Sequence, residues 1–409
     1  MLVLQICIRA EMLMDNFVQQ GVASEALFGE YVLHDDSLKP QRVAAIDAFS
    51  TVFQTLIEDL RNSNLSSIQT NVYGQIIAIA CQFLDAEAPW SSKALFQLAT
   101  QLLDALAKHG NVSLPNLSAK FITSTLDQLI IMQQNGCPAV ATALYYSLTN
   151  VRHPGLDGIC PKAMPLILRV LDSASSRAKI SVIRALQHLI REAPATEIRW
   201  FGGPVMEALL HDVRVGEPGD GIRASIAAAE CCIDAVAAID PSADGPNHIA
   251  VMERVIELLP LSYSEMQRTL CRLAAGLVNR MRISCVPFLK RLFPLLGAVA
   301  ETPSRGAETV AALETIAALV KYCRIRMPAH ARSLANVLNT VLSNGTQDEV
   351  GQIANSILNQ MKEIVGIPEM EQAMEKAKQT AIETAIARER ALQEQAEAHE
   401  TDELSDEES

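Results

Sequence analysis

Hydrophobic positions along the chain recur with the period of an α-helix. Segments of roughly 12 to 20 residues carry apolar side chains at positions i, i+3, i+4 and i+7, and short turns containing Pro, Gly, Asn or Ser separate them. The pattern predicts about sixteen helices and no strand. The predicted fold class is therefore all-α.

Helices in the second half of the chain come in pairs. In residues 165–194, one apolar stripe runs from Leu166 to Leu171, a turn containing Asp172 follows, and a second stripe runs from Val182 to Ile190. Comparable pairs occupy residues 206–239, 288–323 and 334–361. Two helices in about 40 to 47 residues are the unit of HEAT and armadillo arrays, in which each pair stacks on the next. The sequence predicts a right-handed α-solenoid of roughly seven or eight HEAT/armadillo-like pairs.

Turn residues and charge divide the chain into four predicted parts. Residues 1–150 are expected to form irregular helical repeats and residues 151–366 HEAT-like repeats, with a Pro- and Gly-rich boundary at 149–165. Residues 367–399 are rich in good helix formers but poor in apolar positions, which predicts an exposed charged helix. Residues 400–409 combine high charge with one large apolar residue, which predicts a disordered acidic tail.

Charge is unevenly distributed along the chain. The formal net charge is −13, and residues 367–409 contribute most of it, with 13 acids and 4 bases. Within this acidic protein, neither Met266–Ala300 nor Thr315–Gln347 contains an Asp or a Glu. The cations in these two windows are Arg268, Arg272, Arg280, Arg282, Lys290, Arg291, Lys321, Arg324, Arg326 and Arg332. We predict that these ten cations form a partner-binding surface.

The helical period places the cations outside the predicted core. On a helix that begins near Ser264, Arg268 and Arg272 form an i, i+4 pair, on a different face from the apolar residues. Those apolar residues are Leu270, Leu273, Leu277 and Met281. The residues expected to be buried in the following helix are Ile283, Val286, Leu289, Phe293 and Leu296. Equivalent positions of successive repeats align in a solenoid, so the cations predict a basic strip.

Three interpretations of the strip are open. It binds a protein partner with an acidic surface, because complementary charge orients such contacts. Alternatively, the cations lie over apolar surface or pair with acids elsewhere in the fold. Nucleic acid is the least favoured ligand, because the strip lacks interleaved exposed aromatic residues and the chain as a whole is acidic.

Sequence motifs for catalysis and metal binding are absent. The chain contains no G-x-S-x-G, H-E-x-x-H or G-x-G-x-x-G motif, and its eight His are far apart. Cys231 and Cys232 point about 100° apart on a helix, which suits packing better than a tetrahedral metal site. The nine Cys form no C-x-x-C pair, as is typical of reduced thiols in an intracellular protein. We predict no enzymatic activity, cofactor or metal, and no stretch reaches the roughly 18 apolar residues of a transmembrane helix.

Ser405 is a candidate phosphorylation site. Three acids follow it, Asp406, Glu407 and Glu408, and an acidophilic kinase of the casein-kinase-two type requires acids after the serine. Phosphate would add roughly −1.5 to −2 charge and create a ligand for an Arg/Lys cluster on a chaperone adaptor. The alternative is a solvated tail that aids solubility.

Two stretches resemble the C-terminal repeats of a known family. The first, from Pro165 to Asp240, matches at Pro165, Leu171, Asp172, Lys179, Leu186, His188, Leu189, Pro194 and Ile198. The second, from Met252 to Leu342, has R-x3-R, V-x-R and L-K-R-L spacings. It matches at Arg268, Arg272, Ala275, Leu277, Val278, Arg280, Ile283, Val286, Leu289, Lys290 and Arg291, then at Leu313, Glu314, Arg326 and His330. In these residues the chain resembles the Tel-two-interacting protein two family of the Triple T complex.

The resemblance implies a non-catalytic scaffold. Such a scaffold would bind the other two Triple T subunits, Tel-two and Tel-two-interacting protein one, in the cytoplasm and the nucleus, without contacting a membrane. That complex is an adaptor to the heat-shock chaperone system for the maturation of phosphatidylinositol-kinase-related kinases, and it supports DNA-damage signalling, growth signalling and telomere maintenance. The basic strip would then contact an acidic surface of a partner solenoid.

Two other classes of protein would use the same architecture. An importin-like or other armadillo adaptor normally exposes a ladder of Trp and Asn on successive helices, whereas this chain contains only Trp90 and Trp200. A nucleic-acid-binding helical array would show binding that falls steeply with salt.

Overall fold

The computed structural model describes residues 39–62, 70–134, 136–172, 175–215, 219–302, 306–343 and 349–406, with the backbone alone for 392–406. These residues form seventeen α-helices, three 3₁₀-helices and no strand, which confirms the predicted all-α class. The α-helices are α1 Lys39–Asn62, α2 Thr70–Gln82, α3 Lys93–His109, α4 Leu114–Gln134, α5 Val140–Thr149, α6 Cys160–Leu171, α7 Ser176–Glu192, α8 Ala195–Trp200, α9 Gly202–Asp212, α10 Asp220–Ile239, α11 Pro246–Leu258, α12 Ser264–Met281, α13 Leu289–Ala300, α14 Ala307–Tyr322, α15 Ala331–Ser343, α16 Glu349–Val365 and α17 Ile367–Asp406. The 3₁₀-helices are η1 Leu259–Leu261, η2 Arg282–Phe288 and η3 Arg324–His330.

The helices assemble into two compact units that divide between Pro241 and Ser242. In the first unit, short turns join three successive pairs: α4 with α5, α6 with α7, and α9 with α10. The second helices of these pairs, α5, α7 and α10, pack side by side in one layer, and the first helices, α4, α6 and α9, pack in the other. Paired helices stacked in two layers are the architecture of a HEAT-like solenoid.

The second unit repeats this plan. Helices α12, α14 and α16 form one layer, and α11, α13, α15 and α17 form the other. A Cβ atom at Gly297 of α13 would lie 2.9 Å from the Val337 Cγ2 atom of α15, so glycine permits this close approach of the two helices. The predicted apolar face of α12 is buried, and it consists of Leu270, Leu273, Leu277 and Met281.

A 3₁₀ segment follows α12, where the sequence predicted the start of a second regular helix. Helix α12 ends at Met281, and Arg282 has a φ of +51°, so the chain leaves the α-helical path there. Ile283 is 53% exposed and Val286 is half-buried, so their predicted burial was wrong. A 3₁₀-helix has about three residues per turn, which changes the direction in which these two side chains point. The residues of this segment that are buried as predicted are Leu289, Phe293 and Leu296.

Residues 265–300 include a stretch that is long and apolar enough to cross a membrane by length and composition. They do not form one continuous helix, because α12, η2 and α13 divide them. Of the most apolar window, 50% is buried inside the protein.

Among the side chains of the C-terminal helix α17 that the structure describes, the buried ones lie in its first third. Met370 and Ala377 are buried, and every side chain from Lys378 to Ala391 is exposed. The backbone stays helical to Asp406, past the predicted end at 399. Ser405 belongs to the part of α17 whose side chains the structure does not describe, so its phosphorylation stays a prediction.

The predicted division of the chain near residue 150 has no counterpart in the two units. The Pro- and Gly-rich segment 149–165 lies inside the first unit. The start of the predicted N-terminal part, residues 1–38, lies outside the described residues. The four-part division therefore stays a prediction.

Candidate partner-binding surface

Two 3₁₀ segments of the second unit present the same residues. Segment η2 begins with Arg282 and Ile283, and η3 begins with Arg324 and Ile325, 42 residues later (325 − 283). Each isoleucine is followed seven residues later by a cation on the next α-helix. We call these residues, together with Arg326, the turn surface: Arg282, Ile283, Lys290, Arg324, Ile325, Arg326 and Arg332.

The geometry of a 3₁₀-helix explains why the two isoleucines face solvent. With three residues per turn, positions three apart share a face. Cys285 of η2 and Met327 of η3 are fully buried and anchor that face to the core. Ile283 and Ile325 stand two positions earlier, off the anchored face, and are 53% and 83% exposed.

The two 3₁₀ segments lie next to each other. The Cys323 thiol donates a hydrogen bond to the carbonyl oxygen of Arg282, with 3.8 Å between sulfur and oxygen. The rings of Phe293 in α13 and His330 in η3 stack with their centroids 5.4 Å apart. These contacts place the start of η2 beside the residue that precedes η3, and the helix after η2 beside the end of η3.

Exposure separates the ten predicted cations into two groups. Arg268 and Arg280 are half-buried, and the other eight are exposed. The Nε–H group of Arg280 donates a hydrogen bond to His248 Nε2 at 3.0 Å. The Nε atom of Arg268 is buried and has no hydrogen-bond partner among the side chains and backbone groups that the structure describes. These two arginines fit the interpretation that cations lie over apolar surface.

Ion pairs then subdivide the exposed cations. Arg291 Nη1 lies 2.6 Å from Glu253 Oε2 of α11, and Arg324 Nη2 lies 4.0 Å from Glu363 Oε2 of α16. Lys321 Nζ lies 5.1 Å from the centroid of the neighbouring Tyr322 ring. Among the residues that the structure describes, no carboxylate lies within 4.0 Å of the remaining exposed cations, which are Arg272, Arg282, Lys290, Arg326 and Arg332.

Cations recur 42 residues apart at η2 and η3, but those of helix α12 do not recur in α14. In the 42-residue register (324 − 282), Arg272 of α12 corresponds to Glu314 of α14, and both side chains are exposed. Arg268 corresponds to Val310 in the same register. The structure therefore brings the predicted cations together at η2 and η3, whereas Arg268 and Arg272 occupy helix positions where the charge does not recur.

Sequence reasoning missed several exposed apolar residues. Ile367 continues the isoleucine series at the start of α17 and is 57% exposed, after Gly366 with a φ of +111°. The repeated Arg-Ile dipeptide, one HEAT period apart, is a signal that the sequence already contains. Trp200 is 85% exposed, whereas Trp90 is buried and donates its Nε1–H to the carbonyl oxygen of Gln82 at 2.9 Å.

The described thiols are poor nucleophiles. Burial raises the pKa of six of them to about 12: Cys81, Cys137, Cys160, Cys232, Cys271 and Cys285. Burial also raises the pKa of Cys231 and Cys323. A thiol reacts as its thiolate, which such environments disfavour. Within the described ranges, no three or more His, Cys, Asp or Glu are grouped as a metal site would require.

Solved structures of karyopherins share the fold of this chain. The structure of Kap121p bound to Pho4p matches with a TM-score of 0.54 and 15% identity, covering 88% of this chain and 38% of that chain. Importin beta in an ammonium sulfate condition matches with a TM-score of 0.51 and 15% identity, covering 87% and 49% of the two chains. Kap121p bound to the extreme C-terminus of the protein phosphatase Cdc14p matches with a TM-score of 0.51 and 15% identity, covering 87% and 34%.

The likeness is one of fold. No protein-family model and no curated protein sequence matches the chain. The chain spans less than half the length of the karyopherins that it matches. Their paired, stacked helices have the arrangement found in both units, so the chain has an all-α, HEAT-like solenoid fold.

Proposed function

We propose that the chain is a non-catalytic scaffold subunit of the Triple T co-chaperone complex. Its partners would be Tel-two and Tel-two-interacting protein one, in the cytoplasm and the nucleus. Through the heat-shock chaperone system, the complex would support the maturation of phosphatidylinositol-kinase-related kinases. The resemblance in Pro165–Asp240 and Met252–Leu342 names these partners.

The exposed turn surface is the observation that carries this proposal. Lys290 and Arg326 belong both to the resemblance and to the turn surface. Both are exposed, and neither forms an ion pair with a residue that the structure describes. Unpaired cations on an acidic chain suit a partner of opposite charge, because complementary charge steers encounter and sets orientation. Kap121p, which shares the fold, is seen bound to Pho4p and to a segment of Cdc14p, so HEAT-like arrays of this kind accommodate protein partners.

An adaptor for another acidic protein is the second candidate function. The karyopherin fold favours it, since that fold serves protein binding without requiring Triple T subunits. The ladder of exposed Trp expected for an importin-like adaptor is not formed by the two Trp of this chain, because Trp90 is buried.

Affinity purification of the tagged full chain from cells, followed by mass spectrometry, tests the proposal. We expect recovery of Tel-two and Tel-two-interacting protein one with the wild-type chain. The triple variant Lys290→Glu, Arg326→Glu, Arg332→Glu should lower this recovery about tenfold, because it reverses charge where the partner binds. The matched control reverses three exposed cations of the first unit that form no ion pair within the described part of the chain: Lys93, Lys108 and Arg152.

Each outcome decides one point. Recovery of an unrelated acidic protein in place of both subunits would favour the second candidate. An equal loss of recovery in the control triple would show that net charge, and not the turn surface, governs binding. Circular dichroism melts of both triple variants establish that they remain folded.

A further inference from the structure

Each of the two 3₁₀ segments exposes an isoleucine beside a cation. Ile283 follows Arg282, and Ile325 stands between Arg324 and Arg326. Binding by charge alone gives no reason to leave two large apolar side chains 53% and 83% exposed. Burial of apolar surface is the dominant favourable contribution to most protein association, and complementary charge adds mainly specificity and association rate. The turn surface combines both kinds of contact.

The backbone at Arg282 points to a role for its side chain. Its φ of +51° and ψ of −120° lie in a region that non-glycine residues rarely adopt. The equivalent position after α16 is Gly366, with a φ of +111°, where glycine adopts such a conformation without strain. The chain keeps an arginine where glycine would be relaxed, and such strain is typical of functional positions.

The third turn of the series has no arginine beside its isoleucine, and the nearby Lys362 pairs with Glu371 at 3.5 Å. At the third turn, Ile367 follows Gly366 instead of an arginine, and Glu363 and Glu369 stand nearby in sequence. Glu363 already contacts Arg324 at 4.0 Å. An acidic ligand would therefore be attracted to η2 and η3 and repelled from the start of α17.

We propose that the turn surface binds an acidic segment of a partner protein that carries bulky apolar side chains. The carboxylates of this segment meet Arg282, Lys290, Arg326 and Arg332, and its apolar side chains cover Ile283 and Ile325. The chemistry of the segment follows from the turn surface. Its assignment to a Triple T subunit rests on the proposed function.

Fluorescence anisotropy with the purified full chain tests this chemistry. The probe is a fluorescein-labelled peptide of Glu, Leu and Gly, compared with one that has Ser for Leu and one that has Lys for Glu. We expect saturable binding of the first peptide, about tenfold weaker binding of the Ser peptide, and none of the Lys peptide. Equal affinity for the Glu-Leu and Glu-Ser peptides would overturn the apolar part of the proposal.

Two variants locate the peptide. Ile283→Ser with Ile325→Ser should reduce the affinity for the Leu-containing peptide to that for the Ser-containing one. The matched control, Ile382→Ser with Ile386→Ser, alters two isoleucines of α17 that are 60% and 45% exposed, and it should leave affinity unchanged. Arg282→Gly should weaken binding without lowering the melting temperature, because glycine tolerates this backbone conformation. Unchanged affinity in both turn variants would overturn the proposal.

Two further measurements separate the proposal from other occupants. A fluorescein-labelled single-stranded DNA that binds more tightly than the Glu-Leu peptide would assign the surface to nucleic acid and overturn it. Self-association in light scattering that disappears on deletion of residues 400–409 would assign it to the acidic end of a second copy. We expect neither result.

Different experimental results would contradict the Triple T assignment and the binding of an acidic, apolar segment. Peptide binding at the turn surface without recovery of Triple T subunits from cells would contradict only the Triple T assignment. Recovery of the subunits that persists in the Ile283→Ser, Ile325→Ser variant, with no peptide binding by the wild-type chain, would contradict only the proposal made here.

Discussion

The two units have the same paired helices but differ in the surroundings of their cations. In the first unit, several cations pair with carboxylates of neighbouring segments: Arg177 with Asp85 at 2.9 Å, Lys162 with Asp127 at 2.8 Å, and Arg191 with Asp234 at 2.7 Å. In the second unit, most cations of the turn surface face solvent without a carboxylate. Positive charge alone therefore does not mark a binding surface. Exposed cations of the first unit such as Lys93 also lack an ion pair among the described residues, so the exposed isoleucines beside the cations of the turn surface are the more informative observation.

The deepest ion pair makes the contrast clearest. Lys179 Nζ lies 2.6 Å from Asp212 Oδ1, both side chains are buried, and the pair joins α7 to α9. Lys179 belongs to the same family resemblance as Lys290, which is exposed and unpaired. A single resemblance thus includes residues that hold the fold together and residues available to a partner.

Alkaline pH should have the largest effect on the free energy of unfolding, and it should destabilise both units. Burial raises the pKa of thiols such as Cys81 and Cys271 to about 12, whereas the pKa of a thiol in an unfolded chain is about 8.5. Above that pH the unfolded chain loses protons that the folded chain keeps. The free energy of unfolding should therefore fall between about pH 8.5 and 12, by about 1.4 kcal/mol per pH unit for each such thiol.

Thermal melts followed by circular dichroism over this pH range measure the effect. Cys232→Ala removes one buried thiol and should make the fall in stability less steep. A melting temperature that stays constant as the solution becomes alkaline would contradict the burial of these thiols in both units.

Breaking the buried ion pair of the first unit should have the next largest effect on the free energy of unfolding. Lys179→Ala leaves the Asp212 carboxylate buried without its partner, which should lower the free energy of unfolding by about 3–5 kcal/mol. Arg191→Ala, at an exposed pair of the same unit, should cost at most about 1 kcal/mol. Urea denaturation measures both changes.

A double variant checks the cause of that loss. Lys179→Met with Asp212→Leu removes both charges and should recover most of the lost stability, because no charge is left buried and unpaired. If Lys179→Ala proved as mild as Arg191→Ala, the distinction between structural and available cations would fail.

Arg282→Gly should instead stabilise the second unit. Glycine relieves the strained backbone but is more flexible when unfolded, so we expect a net gain of about 1 kcal/mol in the free energy of unfolding. Arg282→Ala is the matched control, because it removes the same charge and retains a Cβ at this φ. Equal stability of the two variants in thermal melts would show that the backbone at Arg282 is unstrained.

The smallest effect should come from the exposed pair of the second unit. Arg291→Ala breaks the contact with Glu253, in which both side chains are partly exposed, and should cost about 0.2–1 kcal/mol. Arg326→Ala removes an unpaired cation and should change stability by no more than about 0.5 kcal/mol. Urea denaturation at low and high salt measures the difference, which should shrink as salt screens the pair. A large loss for Arg326→Ala would reveal a structural role.

Much of the fold could be predicted because its signals are local. The burial of Leu270 and Leu277 follows from the 3.6-residue period of one helix, and the paired helices follow from the repetition of that period. The candidate site was predictable only in part. The acid-free windows located the cations, but the exposed Ile283 was predicted to be buried, because the same period was extended past the end of α12.

The sequence by itself determined that the chain is helical, that its helices pair, and that cations concentrate in two acid-free windows, because these are properties of neighbouring residues. Only the tertiary structure decided which cations are available. Asp212 reaches Lys179 because α7 and α9 both pack against α10. Cys285 and Met327 anchor η2 and η3, so that Ile283 and Ile325 face solvent. Such contacts join residues from different helices, and the local period of a sequence does not specify them.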